Sequence, residues 1–439
     1  MASDKDRTAI RRLHVIGYRS LYDVELDELP NLVVLHGENG AGKSNLLRAP
    51  TLLLQIVACC NPLPPPTSPA MVSYREAHKR FGLTRDDYSK GLPHRMSIRV
   101  RGTLGAHLRE HWGVASDDFD IAVIIEDKGD ALAIHFTVAE IGGVSLVAGV
   151  LGRLDEELAT QEASDKHLDA VLASERLLRG FLTTDLIRYV KADRALKTGD
   201  LEARLFELYN DEDIDRRRAL RRLGERLSET GLLASEGQIE LNPYKDSETG
   251  EPRVKVSVPG VGDLPLDQLG TGQQQLVQIT AAITTETSAI AIVEEPEVHL
   301  HREFVIRLGE FLAREVEAPD SRLSQLWLST HHHAFAIAPT YLDVTYSAEN
   351  GTKVQWRDRA EAAGHFYEPG PLWEALRSLV HSTDNRDRVV LYDPERGDIT
   401  AGEILDSLDG DGRLAQEFAR AATLSIVASF NKSPAQTVP

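Results

Sequence analysis

Apolar residues along this chain follow two patterns, short runs that are typical of strands and longer stripes that are typical of helices. Residues 32–36 (Leu-Val-Val-Leu-His), 289–293 (Ala-Ile-Ala-Ile-Val) and 326–330 (Leu-Trp-Leu-Ser-Thr) are short and mostly apolar. Such runs are typical of strands buried on both faces, as the strands of parallel sheets are. We therefore predict three buried strands at these positions.

Other short segments lie between turn residues and predict further strands. Residues 13–16 and 24–26 are expected to join residues 32–36 in one sheet. Strands are also predicted over residues 96–102, 121–125, 131–138, 144–151, 254–258 and 389–392. Because turn residues lie at 127–130 and 142–143, we expect an antiparallel subsheet in the first half of the chain.

From about residue 154 to residue 233 the apolar spacing becomes helical. One stripe consists of Leu168, Val171, Leu172, Leu178, Phe181 and Leu182, and a second consists of Leu201, Leu205 and Leu208. A further helix is predicted over residues 414–428. We expect four segments: an N-terminal lobe over 1–150, a helical insertion over 151–235, a C-terminal lobe over 236–345 and an α/β extension over 346–439.

Composition limits the classes of partner. Hydrophobic residues make up 42% and charged residues 27% of the 439 residues, as in folded proteins. The net charge of −19 argues against a broadly basic surface that coats nucleic acid. A local contact to DNA or RNA is still open at the arginines of residues 216–226. The alternative is a solvated helix face that is paired with its own acids.

The cysteines and the N-terminus favour a cytoplasmic protein. Only Cys59 and Cys60 occur, and adjacent cysteines are poorly placed to bridge each other or to form a metal quartet. The charged N-terminus is not followed by an apolar signal core. The longest apolar run, near residues 51–60, is too short for a membrane span. We therefore expect a reducing cytoplasm and no membrane contact.

Residues 37–44 (Gly-Glu-Asn-Gly-Ala-Gly-Lys-Ser) match the phosphate-loop pattern G-x-x-x-x-G-K-[S/T] at every fixed position. They lie between the predicted strand at 32–36 and a predicted helix. Backbone N–H groups at the start of that helix would point at a phosphate, and the glycines would let the backbone approach it. Lys43 is expected to reach the β and γ phosphates of a nucleotide, and Ser44 to bind Mg²⁺.

Two acids and a histidine follow the other two buried strands. Glu294 and Glu295 come directly after residues 289–293, and His331 comes directly after residues 326–330. Because successive strand residues face opposite ways, a bend would let Glu294 face Mg²⁺ while Glu295 faces the attacking water. His331 offers a donor to the γ-phosphate. Each pattern alone is as typical of a polar loop, and only their joint order favours a nucleotide site.

The joint order resembles the ABC-type ATPases of the SMC, RecF and OLD group, and specifically the compact bacterial AAA family proteins often found in antiviral defence systems. Six segments carry the resemblance: residues 16–21 (Ile-Gly-Tyr-Arg-Ser-Leu), 36–45, 189–194 (Tyr-Val-Lys-Ala-Asp-Arg), 269–273 (Leu-Gly-Thr-Gly-Gln), 291–301 (Ala-Ile-Val-Glu-Glu-Pro-Glu-Val-His-Leu-His) and 328–331 (Leu-Ser-Thr-His). The resemblance implies an α/β P-loop ATPase head, with an antiparallel β subdomain and a helical insertion between Walker A and the signature motif.

The resemblance also implies roles for individual residues. The ATP and Mg²⁺ site would use Walker A residues Gly37, Asn39, Gly40, Ala41, Gly42, Lys43, Ser44 and Asn45. Glu294 would be the Walker B acid, with Ser44 as the second metal ligand, Glu295 the base and His331 the switch histidine. Signature residues Gly270, Thr271, Gly272 and Gln273 would act on the ATP of a second subunit. Two departures from the family pattern, a Walker B glutamate in place of aspartate and a hydroxyl at Thr271 in place of position 270, favour slow or partner-dependent hydrolysis.

The implied partners are a second copy of the chain, in a head-to-tail dimer, and an effector protein such as a nuclease or toxin encoded nearby. An alternative is an OLD-type nuclease that uses C-terminal acids among Asp393, Glu395, Asp398, Asp409 and Asp411. A second alternative is a nucleotide-switched scaffold with negligible turnover. Both alternatives remain open at the level of the sequence.

Overall fold

The computed structural model describes residues 7–60, 63, 68–146, 186–191, 198–212, 214–229, 238–285, 289–298, 300, 302–318, 321, 323–331, 338, 340–358, 390–393 and 397–400. Packing divides the chain into two compact units, Met1–Trp356 and Arg357–Pro439. The second predicted stripe, Leu201, Leu205 and Leu208, is buried, which confirms it. The predicted stripe at residues 168–182 and the predicted helix at 414–428 lie outside the described residues.

The described strands, in chain order, are β1 Ala9–Tyr18, β2 Leu21–Leu26, β3 Leu32–His36, β4 Ala70–Ser73, β5 Arg95–Thr103, β6 Asp118–Asp127, β7 Ala131–Ile141, β8 Val144–Ser145, β9 Ile187–Lys191, β10 Glu240–Lys245, β11 Pro252–Val258, β12 Gly262–Pro265, β13 Ile290–Glu294, β14 Gln325–Thr330, β15 Thr340–Ser347, β16 Gly351–Asp358, β17 Val390–Asp393 and β18 Gly397–Thr400. The described α-helices are α1 Lys43–Cys59, α2 Tyr74–Phe81, α3 Ala106–Trp112, α4 Thr198–Asn210, α5 Ile214–Glu229, α6 Thr271–Thr284 and α7 Arg302–Glu317.

A six-stranded sheet in the order β16-β15-β3-β14-β13-β9 carries the predicted chemistry. β14 runs parallel to both β3 and β13, and β13 runs parallel to β9. All six residues of β14 and four of the five residues of β13 are buried, which confirms the predicted buried strands. Because the strands are parallel, the segments that follow β3, β13 and β14 leave from the same edge of the sheet.

The second large sheet is antiparallel, in the order β2-β1-β5-β6-β7-β4, with β8 on β7. It confirms the predicted antiparallel subsheet. The expectation that residues 13–16 and 24–26 join β3 in one sheet is wrong, because β1 pairs with β2 and β5 instead. β3 has parallel neighbours on both sides, β14 and β15, so no free edge remains for β2.

A buried glutamine joins the two sheets. Gln325, at the start of β14, is fully buried. Its side chain accepts from the backbone N–H of Ile10 on β1 at 2.9 Å and donates to the carbonyl oxygens of Ile10 and Pro30, each at 2.8 Å. Because three backbone groups of the antiparallel side are bonded to one side chain of the parallel sheet, the two sheets are held in a fixed relation.

Two hydrophobic clusters among the described residues hold these elements together. The larger one joins both sheets through α1, with Leu46, Leu47, Leu52 and Ile56 packed inward. The other buries α4 and α5 against β10, β11 and, through Val277 and Ala281, the middle of α6. No helix among the described ranges is both long enough and apolar enough to cross a membrane.

Candidate functional site

The phosphate-loop segment joins the end of β3 to the start of α1. Gly40 and Gly42 have φ angles of 83° and 105°, in the left-handed region that favours glycine. Lys43 is 4% exposed, and its Nζ donates to the carbonyl oxygens of Gly37 at 2.6 Å and Glu38 at 2.9 Å. The lysine side chain is therefore folded back over the loop, with its charge at the loop's centre.

The electrostatics of this loop fit a polyphosphate. No acidic residue occurs in the first turn of α1, so the positive end of the helix is not neutralised there. Burial lowers the pKa of Lys43, while Glu295, Glu297 and Glu294 counteract this shift. Ser44 is exposed at the same helix end. A nucleotide with Mg²⁺ would place its phosphates at this helix start, with Ser44 and Glu294 as the protein's oxygen ligands of the cation.

Glu294, the last residue of β13, is bound by a tyrosine from the neighbouring strand. The hydroxyl of Tyr189 on β9 donates to Glu294 Oε2 at 2.9 Å. Burial, and then the nearby carboxylate of Glu294, raise the pKa of Tyr189, so the phenol keeps its proton and acts as the donor. Tyr189 belongs to residues 189–194, one of the segments that carry the family resemblance, but no role in the site was predicted for it. Arg194, from the same segment, lies outside the described residues.

Glu295 begins a bend directly after β13. Its φ of 47° is one of three positive values among the described non-glycine residues, a backbone conformation that a glutamate adopts at an energetic cost. Its backbone N–H donates to the carbonyl oxygen of Ser329 on β14 at 2.9 Å. The bend that would separate the directions of Glu294 and Glu295 is therefore present, held by the neighbouring strand.

Glu297 connects the turn after β13 to the histidine after β14. It is 7% exposed, and its Oε1 accepts from the hydroxyl of Thr330 at 2.7 Å and from the backbone N–H of His331 at 2.9 Å. The same oxygen lies 3.2 Å from His331 Nδ1. A proton on Nδ1 that faces Glu297 leaves Nε2 of the half-exposed imidazole for another partner. In the sequence, Glu297 is visible only as one residue of the segment 291–301. Its position shortly after the predicted strand at 289–293 is the signal that could have identified it as part of the site.

The signature residues lie at the start of α6. Gly270 and Thr271 are exposed, and Gly272 and Gln273 are half-buried. The backbone N–H of Gly270 donates to Gln273 Oε1 at 3.2 Å, a local cap. Gln275, two positions after Gln273, is buried and donates from Nε2 to the carbonyl oxygen of Pro296 at 3.2 Å. Sequence reasoning missed this link between the signature helix and the turn that carries the acids.

The arginine-rich helix α5 is partly neutralised by its own acids. Arg221 pairs with Glu225 at 3.1 Å, and Arg226 pairs with Glu229 at 2.9 Å and with the buried Glu315 at 3.1 Å. The pairs with Glu225 and Glu229 agree with the alternative of a solvated helix face, while the pair with Glu315 joins α5 to α7. Of the C-terminal acids, Asp393 and Asp398 lie on the hairpin of β17 and β18, and the side chains of the set are outside the described part of the chain.

Comparison with known proteins agrees with this geometry. Residues 166–337 match the family described as "AAA domain, putative AbiEii toxin, Type IV TA system". The DNA replication and repair protein RecF of Brucella abortus (strain 2308) is 46% identical over 48 residues, 11% of this chain and 12% of that protein. RecF of Brucella suis biovar 1 (strain 1330) gives the same values. The match therefore spans about an eighth of the length of these curated relatives.

A solved structure extends the likeness to most of the fold. The SMC head bound to the C-terminal winged-helix domain of ScpA aligns with a TM-score of 0.51 and 14% identity, covering 80% of this chain and 99% of that one. At this identity the likeness concerns the fold alone. The family match over residues 166–337, the RecF segment and the shared head fold agree with the resemblance to ABC-type ATPases, and the fold is that of a P-loop ATPase head.

Proposed function

We propose that this protein binds and hydrolyses ATP, that two copies close head to tail around two nucleotides, and that closure controls a partner. The observation that carries the proposal is the register of the parallel sheet, in which Glu294 pairs with Ser329 and Thr330 pairs with His36. The acids, the histidine and the phosphate loop therefore leave from one edge, and the charges of Glu294, Glu295 and Glu297 act on the pKa of Lys43. Glu297 in turn contacts His331. Donors for a polyphosphate and acids for a cation and a water therefore come together in one chain.

Each of these residues has a part in the proposed reaction. Lys43 and the backbone N–H groups at the start of α1 bind the β and γ phosphates, and Ser44 and Glu294 bind the cation. Mg²⁺, when bound, neutralises phosphate charge and fixes the geometry of the phosphates. Glu295 accepts the proton of the attacking water, while His331, oriented by Glu297, donates towards the γ-phosphate.

The signature residues supply the reason for proposing a dimer. Gly270 and Thr271 are exposed on their own chain and are placed at a helix N-terminus, a suitable donor group for a phosphate. In the proposed dimer they face the γ-phosphate bound by the other subunit. The longer Walker B side chain, glutamate in place of aspartate, and the shifted hydroxyl at Thr271 are consistent with slow or partner-stimulated turnover.

The partner and the biological role are drawn from the relatives. The description of the matched family names a toxin of a toxin–antitoxin system, and that of the RecF relatives names DNA replication and repair. We propose a role in prokaryotic defence, in which ATP-driven closure controls an effector protein or responds to nucleic acid. The exposed arginines Arg217 and Arg218 on α5 are the proposed nucleic-acid contact.

The experiment measures phosphate release and ATP binding by wild type and Glu295→Gln, with and without DNA. Wild type should bind and hydrolyse ATP, and Glu295→Gln should bind ATP but lose roughly a hundredfold or more in hydrolysis. Glu28→Gln is a matched control, because Glu28 is an exposed glutamate with a similar φ of 53° in the loop between β2 and β3. If wild type binds ATP but never releases phosphate, the proposed hydrolysis is rejected and the nucleotide-switched scaffold remains.

The nuclease alternative has its own outcome in the same assay. Plasmid DNA added with Mg²⁺ or Mn²⁺ should stay intact if the effector is a separate protein. Cleavage by the purified chain that disappears in Asp393→Ala and persists in Glu295→Gln would favour an OLD-type nuclease instead.

A further inference from the structure

A chain of hydrogen-bonded side chains lies behind the phosphate loop, on residues from three distant segments. Asn45 Nδ2 lies 2.9 Å from Ser20 Oγ, and Ser20 Oγ lies 2.7 Å from Thr352 Oγ1. Thr352 Oγ1 lies 2.9 Å from the carbonyl oxygen of Ala41, which is 311 positions away in sequence. Thr352 is 2% exposed. The start of β16 therefore forms part of the wall of the nucleotide loop.

Counting protons fixes the direction of these hydrogen bonds. A carbonyl oxygen can only accept, so the single hydroxyl proton of Thr352 goes to Ala41. Thr352 Oγ1 then accepts the proton of Ser20, and Ser20 Oγ accepts from the amide of Asn45. All three bonds point the same way, and bonds in such a chain polarise one another.

The outer end of this chain is anchored by a buried acid. Asn45 Oδ1 accepts from Arg19 Nη1 at 3.2 Å, and Arg19 Nε donates to Asp87 Oδ1 at 2.5 Å. Asp87 is 4% exposed and also accepts from the backbone N–H of Thr84 at 2.6 Å. Because each member has its partners, the orientation of the Asn45 amide is determined by the network.

The network encloses the part of the loop that carries the charge. Ala41 and Asn45 lie on either side of Lys43 and Ser44, and both ends are tied to the same pair of hydroxyls. The fit is close: a Cβ added at Gly42 would lie 2.1 Å from Thr352 Oγ1. The backbone N–H of Thr352 donates to the carbonyl oxygen of Ser20 at 2.7 Å, which fixes the distance between the two hydroxyl-bearing residues.

We propose that Thr352 is a positioning residue of the nucleotide site, whose hydroxyl, through Ser20 and Asn45, holds Ala41 and the first turn of α1 in the conformation that binds a polyphosphate. The proposal rests on the proposed function for the identity of the ligand, ATP. Its structural part, the restraint of the loop, stands independently of that ligand. Thr352 touches the loop and not the reacting atoms, so its effect is on the geometry of binding.

The test compares Thr352→Val, which keeps the shape and removes the hydroxyl, with Thr352→Ser, which keeps the hydroxyl. Isothermal titration with ATP and Mg²⁺ should show a Kd raised about five- to tenfold in the valine variant, the loss expected for one buried hydrogen bond. The serine variant should return to within about twofold of wild type. Thr345→Val, on the exposed surface of β15, is the matched control and should bind as wild type does.

A second measurement uses no nucleotide. Hydrogen–deuterium exchange over residues 37–45 should be faster in Thr352→Val than in wild type, with exchange in Arg95–Thr103 unchanged. Ser20→Ala should reproduce the faster exchange, which keeps the proposal testable if Thr352→Val is globally unstable. Unchanged loop exchange in both variants would overturn the proposal. Wild type that fails to bind ATP would reject the proposed function, and the exchange result would still decide the role of Thr352.

Discussion

The phosphate loop and the signature motif are both glycine-containing segments before a helix. They differ in the hydrogen bonds that link them to distant parts of the chain. The phosphate loop is bonded from β16, from the turn between β1 and β2, and by its own buried lysine. The signature residues Gly270 and Thr271 are exposed, and the hydrogen bonds of Gly270 are local, from its N–H to Gln273 Oε1 and from the N–H of Gln274 to its carbonyl oxygen. A segment that its own chain leaves exposed at a helix N-terminus is free to bind a phosphate held elsewhere.

The two motifs also differ in how they are connected to the acids. The charges of Glu294, Glu295 and Glu297 act directly on Lys43 of the phosphate loop. The signature helix reaches the same acids through one hydrogen bond, from Gln275 to the carbonyl oxygen of Pro296. The charged residues that surround the phosphate loop therefore come from its own chain, while the signature helix contacts the turn that carries the acids through the carbonyl oxygen of Pro296.

The largest expected effect comes from removing the buried positive charge of the phosphate loop. Lys43→Ala should abolish ATP binding and ATP-dependent dimer formation, with a loss of roughly a thousandfold in hydrolysis, because no other cation is buried in the loop's centre. Lys353→Ala, an exposed lysine on β16, is the control. Isothermal titration and light scattering with ATP measure the two effects, and unaltered ATP-driven dimers in Lys43→Ala would contradict the proposed closure.

A mixing experiment tests whether the exposed motif acts on another subunit. Thr271→Arg should bind ATP as wild type does but lose hydrolysis roughly a hundredfold, because the added side chain displaces the signature residues from the γ-phosphate bound by the other subunit. An equal mixture of Thr271→Arg and Lys43→Ala should release phosphate well above either variant alone, because a mixed dimer has one site that combines an intact phosphate loop with an intact signature motif. Phosphate release from the mixture measures this.

No recovery above the two separate variants would contradict action between subunits. Gly270→Ala provides a milder version of the same change. A Cβ at Gly270 would meet only Gln273 Oε1, at an ordinary contact distance of 3.6 Å, so the fold should be unaffected.

A smaller effect is expected where the signature helix contacts the acids. Gln275→Leu should lower the rate of hydrolysis about fivefold at unchanged ATP affinity, because the turn after β13 loses the hydrogen bond to Pro296. Gln278→Leu makes the same change at another buried position of α6. Steady-state kinetics with both variants should show the loss in kcat for Gln275→Leu alone, and equal losses would assign the effect to the helix as a whole.

The smallest effect concerns the stability of the protein without nucleotide. Burial lowers the pKa of Lys43 below its ordinary value of 10.5, so the unfolded chain binds this proton more tightly than the folded protein does. The resulting loss of stability is fully present below the folded pKa and disappears as the pH rises through 10.5. Lys43→Met should therefore raise Tm at pH 7, and the gain should become smaller as the pH rises towards 10.5. Lys353→Met should leave Tm unchanged.

The local pattern of residues was enough to predict the strands that carry the site. Residues 289–293 and 326–330 have too few polar residues to face water, and the acids and the histidine must then leave from their ends. The pattern was not enough to assign strands to sheets. β1 and β2 were expected beside β3, but pairing depends on which edges other segments occupy, and β14 and β15 occupy both edges of β3.

The sequence by itself determined which residues lie at strand ends and helix starts, because burial and backbone preference act over a few neighbouring positions. Only the tertiary structure decided what surrounds them. Tyr189 donates to Glu294 across 105 positions, and Thr352 to Ala41 across 311. A hydrogen bond between residues so far apart leaves no period or spacing in the sequence, since its geometry exists only after the sheets have packed.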